Sequence, residues 1–96
     1  MHYYDEGDPM TEKLYELDSY IRSFTASVEE CRSCENGYAV RLSRTAFFPE
    51  GGGQAADPGT LGGVSVNDVQ IVDGDIWHYV STPLAVGEEV EGILDW

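Results

Sequence analysis

From Tyr20 onward, apolar and polar positions alternate in short runs. Phe24, Ala26 and Val28 are separated by Thr25, Ser27 and Glu29, and Tyr38, Val40 and Leu42 alternate with Ala39, Arg41 and Ser43. A period of two puts one set on each face of an extended chain, so both runs read as half-buried strands. Asn36-Gly37 between them supplies the positive φ angles of a type I′ turn and predicts a hairpin. Val69–Val72 and Ile76–Val80 repeat the arrangement around Asp73-Gly74. Val64 and Val66 are out of phase with Val69 and Ile71, which predicts a bulge or turn near Asn67-Asp68. Glu89–Trp96, after Pro83 and Gly87, reads as a last strand. Helical periodicity is weak throughout. Short strands joined by tight turns predict an all-β fold, a small closed or partly open antiparallel β-barrel, because closure removes exposed edges.

Composition sharpens this picture. The 96 residues carry 18 Asp and Glu against five Lys and Arg, a formal charge of −13. That balance lacks the positive surface of a self-sufficient nucleic-acid binder, so any nucleic acid would be held largely by something else. Hydrophobic residues make up 42% of the chain, with six Tyr, three Phe and two Trp, which is core material and not the make-up of a disordered acidic tail. Residues 1–10 read as a flexible acidic leader and 11–96 as the barrel domain. No apolar run is long enough to span a membrane and the N-terminus is acidic, so a soluble, cytoplasmic protein without a membrane partner is expected.

The irregular stretch Thr45–Gly63 holds six of the eleven glycines, three of them consecutive at Gly51, Gly52 and Gly53. Each costs backbone entropy on ordering, so something must approach that backbone closely. One reading is a loop crossing the barrel mouth where only glycine fits. The other is a backbone whose N–H groups meet an anion or a ribose, with Gln54 offering a donor and an acceptor beside them. No Gly-Lys-Ser/Thr follows, which excludes a phosphate loop of that type.

The remaining candidates are weaker. Cys31-Arg-Ser-Cys34 has the spacing of half a zinc site, but no second pair accompanies it, and two ordinary thiols at a strand end is the favoured reading. His78 is favoured as a satisfied structural histidine over a general base. Glu50 is read as a loop carboxylate capping backbone N–H groups before a general base. Trp77, Tyr79 and Tyr38 are read as core aromatics, since no basic groove accompanies them.

At Thr45–Leu61 the chain resembles the Gly-rich motif of the alanyl-tRNA synthetase editing family, which includes free-standing alanyl-tRNA editing proteins. The matching residues are Thr45, the run Phe47-Phe48-Pro49-Glu50-Gly51-Gly52-Gly53-Gln54, Asp57 and Gly59. Thr11–Tyr15, Asp18–Tyr20, Gly74–His78 and the closing Gly87 to Trp96 are also similar to the family's N-terminal barrel, so the likeness extends over nearly the whole chain from Thr11.

The resemblance implies a barrel of the type shared with translation proteins, attached to an editing core that hydrolyses the ester of Ser or Gly mistakenly joined to alanine tRNA. In the family, the Asp-Trp corresponding to Asp95-Trp96 is followed by an Arg and a helix with His-x-x-x-His, and a later Cys and His complete a zinc site. The sequence to Trp96 contains none of these ligands, and Cys31, Cys34, His2 and His78 do not match their positions. The expectation is therefore the N-terminal part of a longer zinc-dependent deacylase, inactive alone, with no metal ligand or catalytic residue of its own. Its partners would be the editing core in cis and, through the parent protein, mischarged alanine tRNA. Gly51, Gly52, Gly53, Gln54 and, less directly, Thr45 would help form the substrate pocket. The alternative is a stand-alone non-catalytic barrel that docks on a translation-related partner; a third reading is a small metal or redox module using Cys31 and Cys34.

Overall fold

A computed structural model describes residues 12–16, 20–35, 37–49 and 58–95. In chain order the elements are β1 (Glu12–Lys13), a single 3₁₀ turn (Leu14–Glu16), β2 (Ser23–Cys34), β3 (Gly37–Leu42), β4 (Arg44–Thr45), β5 (Gly59–Leu61), β6 (Val64–Val72), β7 (Asp75–Val80) and β8 (Glu89–Leu94). The all-β expectation holds. Six strands close into a barrel in the order β2-β3-β7-β6-β5-β8, every pairing antiparallel. The short strands β1 and β4 form a separate parallel pair, Glu12 opposite Arg44 and Lys13 opposite Thr45. No helix among the described residues is long and apolar enough to cross a membrane.

Alternation along the strands fills the barrel. Phe24, Ala26 and Val28 of β2, Val40 and Leu42 of β3, Ile76 and Val80 of β7, and Val90 and Leu94 of β8 all enter one core cluster. In β6 the inward positions are Val66 and Val69, three apart and so out of phase for a regular strand. The shift is absorbed by an irregular register between Val66 and Asp68, as the sequence predicts. There Asp68 accepts hydrogen bonds from the Val69 N–H at 2.9 Å and from Gln70 Nε2 at 2.8 Å.

The second hairpin turns at Asp73-Gly74, with φ of 53° and 85° and Val72 opposite Asp75, the two-residue geometry the dipeptide predicts. The first hairpin forms between β2 and β3 as predicted, with its turn one residue earlier than Asn36-Gly37. β2 continues to Cys34, and Gly37 is already the first residue of β3, paired with Cys34. Asn36 lies outside the described residues. Gly37 has the positive φ the dipeptide predicts, 144°, and a Cβ there would also run into the carbonyl oxygen of Val80.

The stretch Thr45–Gly63, read as irregular, contains β5, which pairs with both β6 and β8 and closes the ring. Trp77, read as core, is buried; it lies opposite Arg41 on β7, outside the main core cluster, and the Arg32 guanidinium sits 4.8 Å from its ring centroid. Glu30 accepts from Arg32 and, with Glu29, from Arg41, so acids and bases on β2 and β3 lace this outer face. The Arg32 contact, followed by Arg41, holds the Glu30 carboxyl below its usual range.

Candidate functional site

The Gly-rich residues singled out by the sequence, Gly51, Gly52, Gly53 and Gln54, lie outside the described residues, as do Glu50 and the acidic leader. What the structure places are the two chain segments that flank them. Upstream, Thr45, Ala46 and Phe47 run along the inside of the barrel, Thr45 and Phe47 with no exposed surface. Downstream, Pro58 and Gly59 lead into β5, and the Asp95 N–H donates to the Pro58 carbonyl at 2.9 Å. The segments meet: the Phe47 ring occupies the space beside the Gly59 Cα where a side chain would stand.

Phe47 is itself held edge-on by two rings, Phe24 at 5.9 Å and His78 at 5.6 Å between centroids. His78 lies between Ile76 and Val80 on the inward row of β7 and has no exposed surface. Its Nδ1 lies 3.0 Å from the Val40 carbonyl oxygen. A carbonyl can only accept, so Nδ1 carries the proton. Burial pushes the imidazole pKa down from 6.5 to about 4, the Val40 bond opposing this only in part, so the ring is neutral and its Nε2 is bare. The Thr45 hydroxyl, 2.8 Å away, therefore donates to Nε2. The Phe47 N–H in turn donates to Thr45 Oγ1 at 3.0 Å. The result is a directed chain from the Phe47 N–H through Thr45 and His78 to the Val40 carbonyl.

This network answers the sequence expectations unevenly. The satisfied-histidine reading of His78 agrees with the geometry, since both ring nitrogens are bonded. Thr45 was singled out for its place in the motif, and the structure shows its hydroxyl engaged inside the barrel. The link between the two has no sequence signal, because 33 residues separate them with no repeat between. Cys31 and Cys34 stand three apart on an extended strand and so on opposite faces, Cys31 against the core and Cys34 exposed. Neither they nor His78, with both nitrogens committed, fit a zinc site.

Beside the upstream segment, Phe48 stacks at a tilt on Tyr15, 4.8 Å between centroids, and remains nearly half exposed. Burial, and then the charge of Glu16, raises the Tyr15 phenol pKa. Beside the downstream segment, an open groove of about 460 Å³ runs past Pro58, Thr60, Ser65, Ile93 and Asp95. The flanks of the Gly-rich stretch are thus buried and hydrogen-bonded on the inside and partly apolar on the outside.

No protein-family model matches the chain. Against individual proteins, 91% of it aligns at 43% identity with the alanyl-tRNA editing protein AlaX-M of Pyrococcus horikoshii, covering 40% of that protein. Over this segment the chain is homologous to alanyl-tRNA editing proteins. Alanyl-tRNA editing protein Aarsd1 of Bos taurus is 39% identical over 82% of the chain and 21% of its own length. An alanine-tRNA ligase from Pyrobaculum neutrophilum is 46% identical over 92% of the chain and 10% of its own length. The chain therefore spans less than half the length of the editing proteins it matches, and its homologues include both editing proteins and alanine-tRNA ligases.

Proposed function

We propose that this chain is the accessory β-barrel domain of an alanyl-tRNA editing protein, one that hydrolyses Ser or Gly mistakenly joined to alanine tRNA. The observation that carries the reading is the 43% identity over 91% of the chain to a protein named for that editing, of which it spans 40%. In this reading Gly51, Gly52, Gly53 and Gln54 line one wall of the editing pocket, and Thr45 supports them from the barrel. An uncharged wall suits a chain of net charge −13, which would otherwise repel the phosphates of the tRNA end.

The hydrolytic chemistry belongs to the rest of the protein. A zinc ion with an open coordination position would there polarise the ester or activate water, while Cys31, Cys34 and His78 do not fit its ligation. The barrel alone is inactive, and its cytoplasmic location follows from that of its tRNA substrate. The test is release of serine from Ser-tRNA(Ala) by the full gene product and by the 96 residues alone, with Ala-tRNA(Ala) as the control. Hydrolysis of the mischarged tRNA by the full product only, weakened by Gln54→Ala, supports the reading. A full product that releases no serine overturns it in favour of a non-catalytic docking barrel.

A further inference from the structure

Thr45 and His78 are the two fully buried polar side chains among the described residues, and each is the other's partner. A barrel interior made otherwise of Val, Leu, Ile, Ala and Phe gains little stability from such a pair, because desolvating both groups offsets most of the bond. What a polar pair gives, and apolar packing does not, is direction. Here the direction is complete: Val40 orients the imidazole, the imidazole takes the Thr45 proton, and Thr45 is left with its lone pairs for the Phe47 N–H.

We propose that His78 is a positioning residue, which by accepting the Thr45 hydroxyl proton locks Thr45–Phe47 in place and so sets where the Gly-rich stretch leaves the barrel. This rests on the reading that the stretch borders the editing pocket. It extends that reading to a residue 17 positions beyond the end of the motif, at Leu61, which no feature of the motif indicates. The Phe47 ring transmits the anchor to the downstream side as well, through its contact with Gly59.

Two substitutions separate the halves of the network. His78→Gln puts an amide oxygen where Nε2 stood, keeping an acceptor for Thr45 and losing the Val40 bond. His78→Asn keeps a donor for Val40 and falls short of Thr45. Each orphans one buried group, so the two should melt at similar temperatures, and a difference in activity then reports position and not stability. In the full gene product, His78→Asn and Thr45→Val should lower kcat for serine release by about 10-fold or more with little change in KM, whereas His78→Gln and Thr45→Ser stay within about 3-fold of wild type. Equal kcat for His78→Asn and His78→Gln overturns the proposal. So does an NMR spectrum of the wild type showing the proton on Nε2. A wild type that releases no serine overturns the functional reading alone. The anchor is then decided by hydrogen exchange at the Phe47 amide: protection kept in His78→Gln and lost in His78→Asn and Thr45→Val supports it, and equal protection in all three overturns it.

Discussion

The ring of Phe47 stands where a side chain at residue 59 would go. A Cβ on Gly59 would lie 2.8 Å from Cε1 of that ring and would also meet the carbonyl oxygen of Ile93. The ring has some freedom to yield; the strand carbonyl does not. Gly59→Ala is expected to cost about 2–3 kcal/mol, the upper range for overpacking, as a lowered urea midpoint. Adding Phe47→Leu should not restore stability, because the Ile93 carbonyl remains in the way. Full rescue would show that the aromatic contact alone forbids the side chain.

His78 makes stability depend on pH with a defined sign. Its pKa is 6.5 when unfolded and about 4 when folded, so between these values the unfolded chain binds a proton that the folded chain does not. The stabilisation is complete above pH 6.5 and is lost as pH falls toward 4. The interval corresponds to about 3 kcal/mol. Because many carboxylates titrate nearby in pH, the useful quantity is the difference in unfolding free energy between wild type and His78→Gln. That gap should narrow from pH 7 to pH 4.5, and a gap independent of pH would mean that the histidine is not buried in its neutral form.

The Asp73-Gly74 turn carries two successive positive φ angles. Gly74→Ala should cost about 1–2 kcal/mol, the penalty for a Cβ in the left-handed region. Asp73→Asn should be neutral or slightly stabilising, since asparagine suits the first position of a type I′ turn. Thermal melts of the two variants check both signs.

On the outer face, Arg32 over Trp77 should contribute about 0.5–1 kcal/mol, as exposed cation–π contacts do. Arg32→Ala is expected to lower the melting temperature slightly and to increase quenching of tryptophan emission by acrylamide. An unchanged quenching profile would show that other atoms cover the indole.

The hairpins were legible because their information is local. A run such as Phe24-Thr25-Ala26-Ser27-Val28 states its own face, and Asp73-Gly74 states its own turn. The bulge before Asp68 was legible as a phase error between Val66 and Val69. β5 was not, because three residues hold no period and Gly59–Leu61 takes its partners from β6 on one side and from β8, some 30 residues later, on the other. Gly37 was legible through its positive φ, whereas the Val80 carbonyl that also crowds it lies on another strand and leaves no local mark. Trp77 was legible as buried by its bulk, while the Arg32 guanidinium that lies over it had no local signal. Of the candidate site, Thr45 and His78 were each visible by residue type, while their pairing joins two sheets across 33 residues of sequence and has no local signal.

The strand that closes the ring is also the strand on which the Gly-rich stretch ends. β5 holds β6 to β8, and it begins one residue after Pro58. If the Gly-rich stretch walls a pocket as proposed, its anchorage and the integrity of the barrel depend on the same three residues. A molecule captured only when these flanks are in place draws its affinity partly from the folding equilibrium and returns it as resistance to unfolding, in proportion to the logarithm of its concentration over its dissociation constant. A melting curve recorded with increasing amounts of a non-hydrolysable aminoacyl-adenosine then becomes a binding isotherm that requires no turnover.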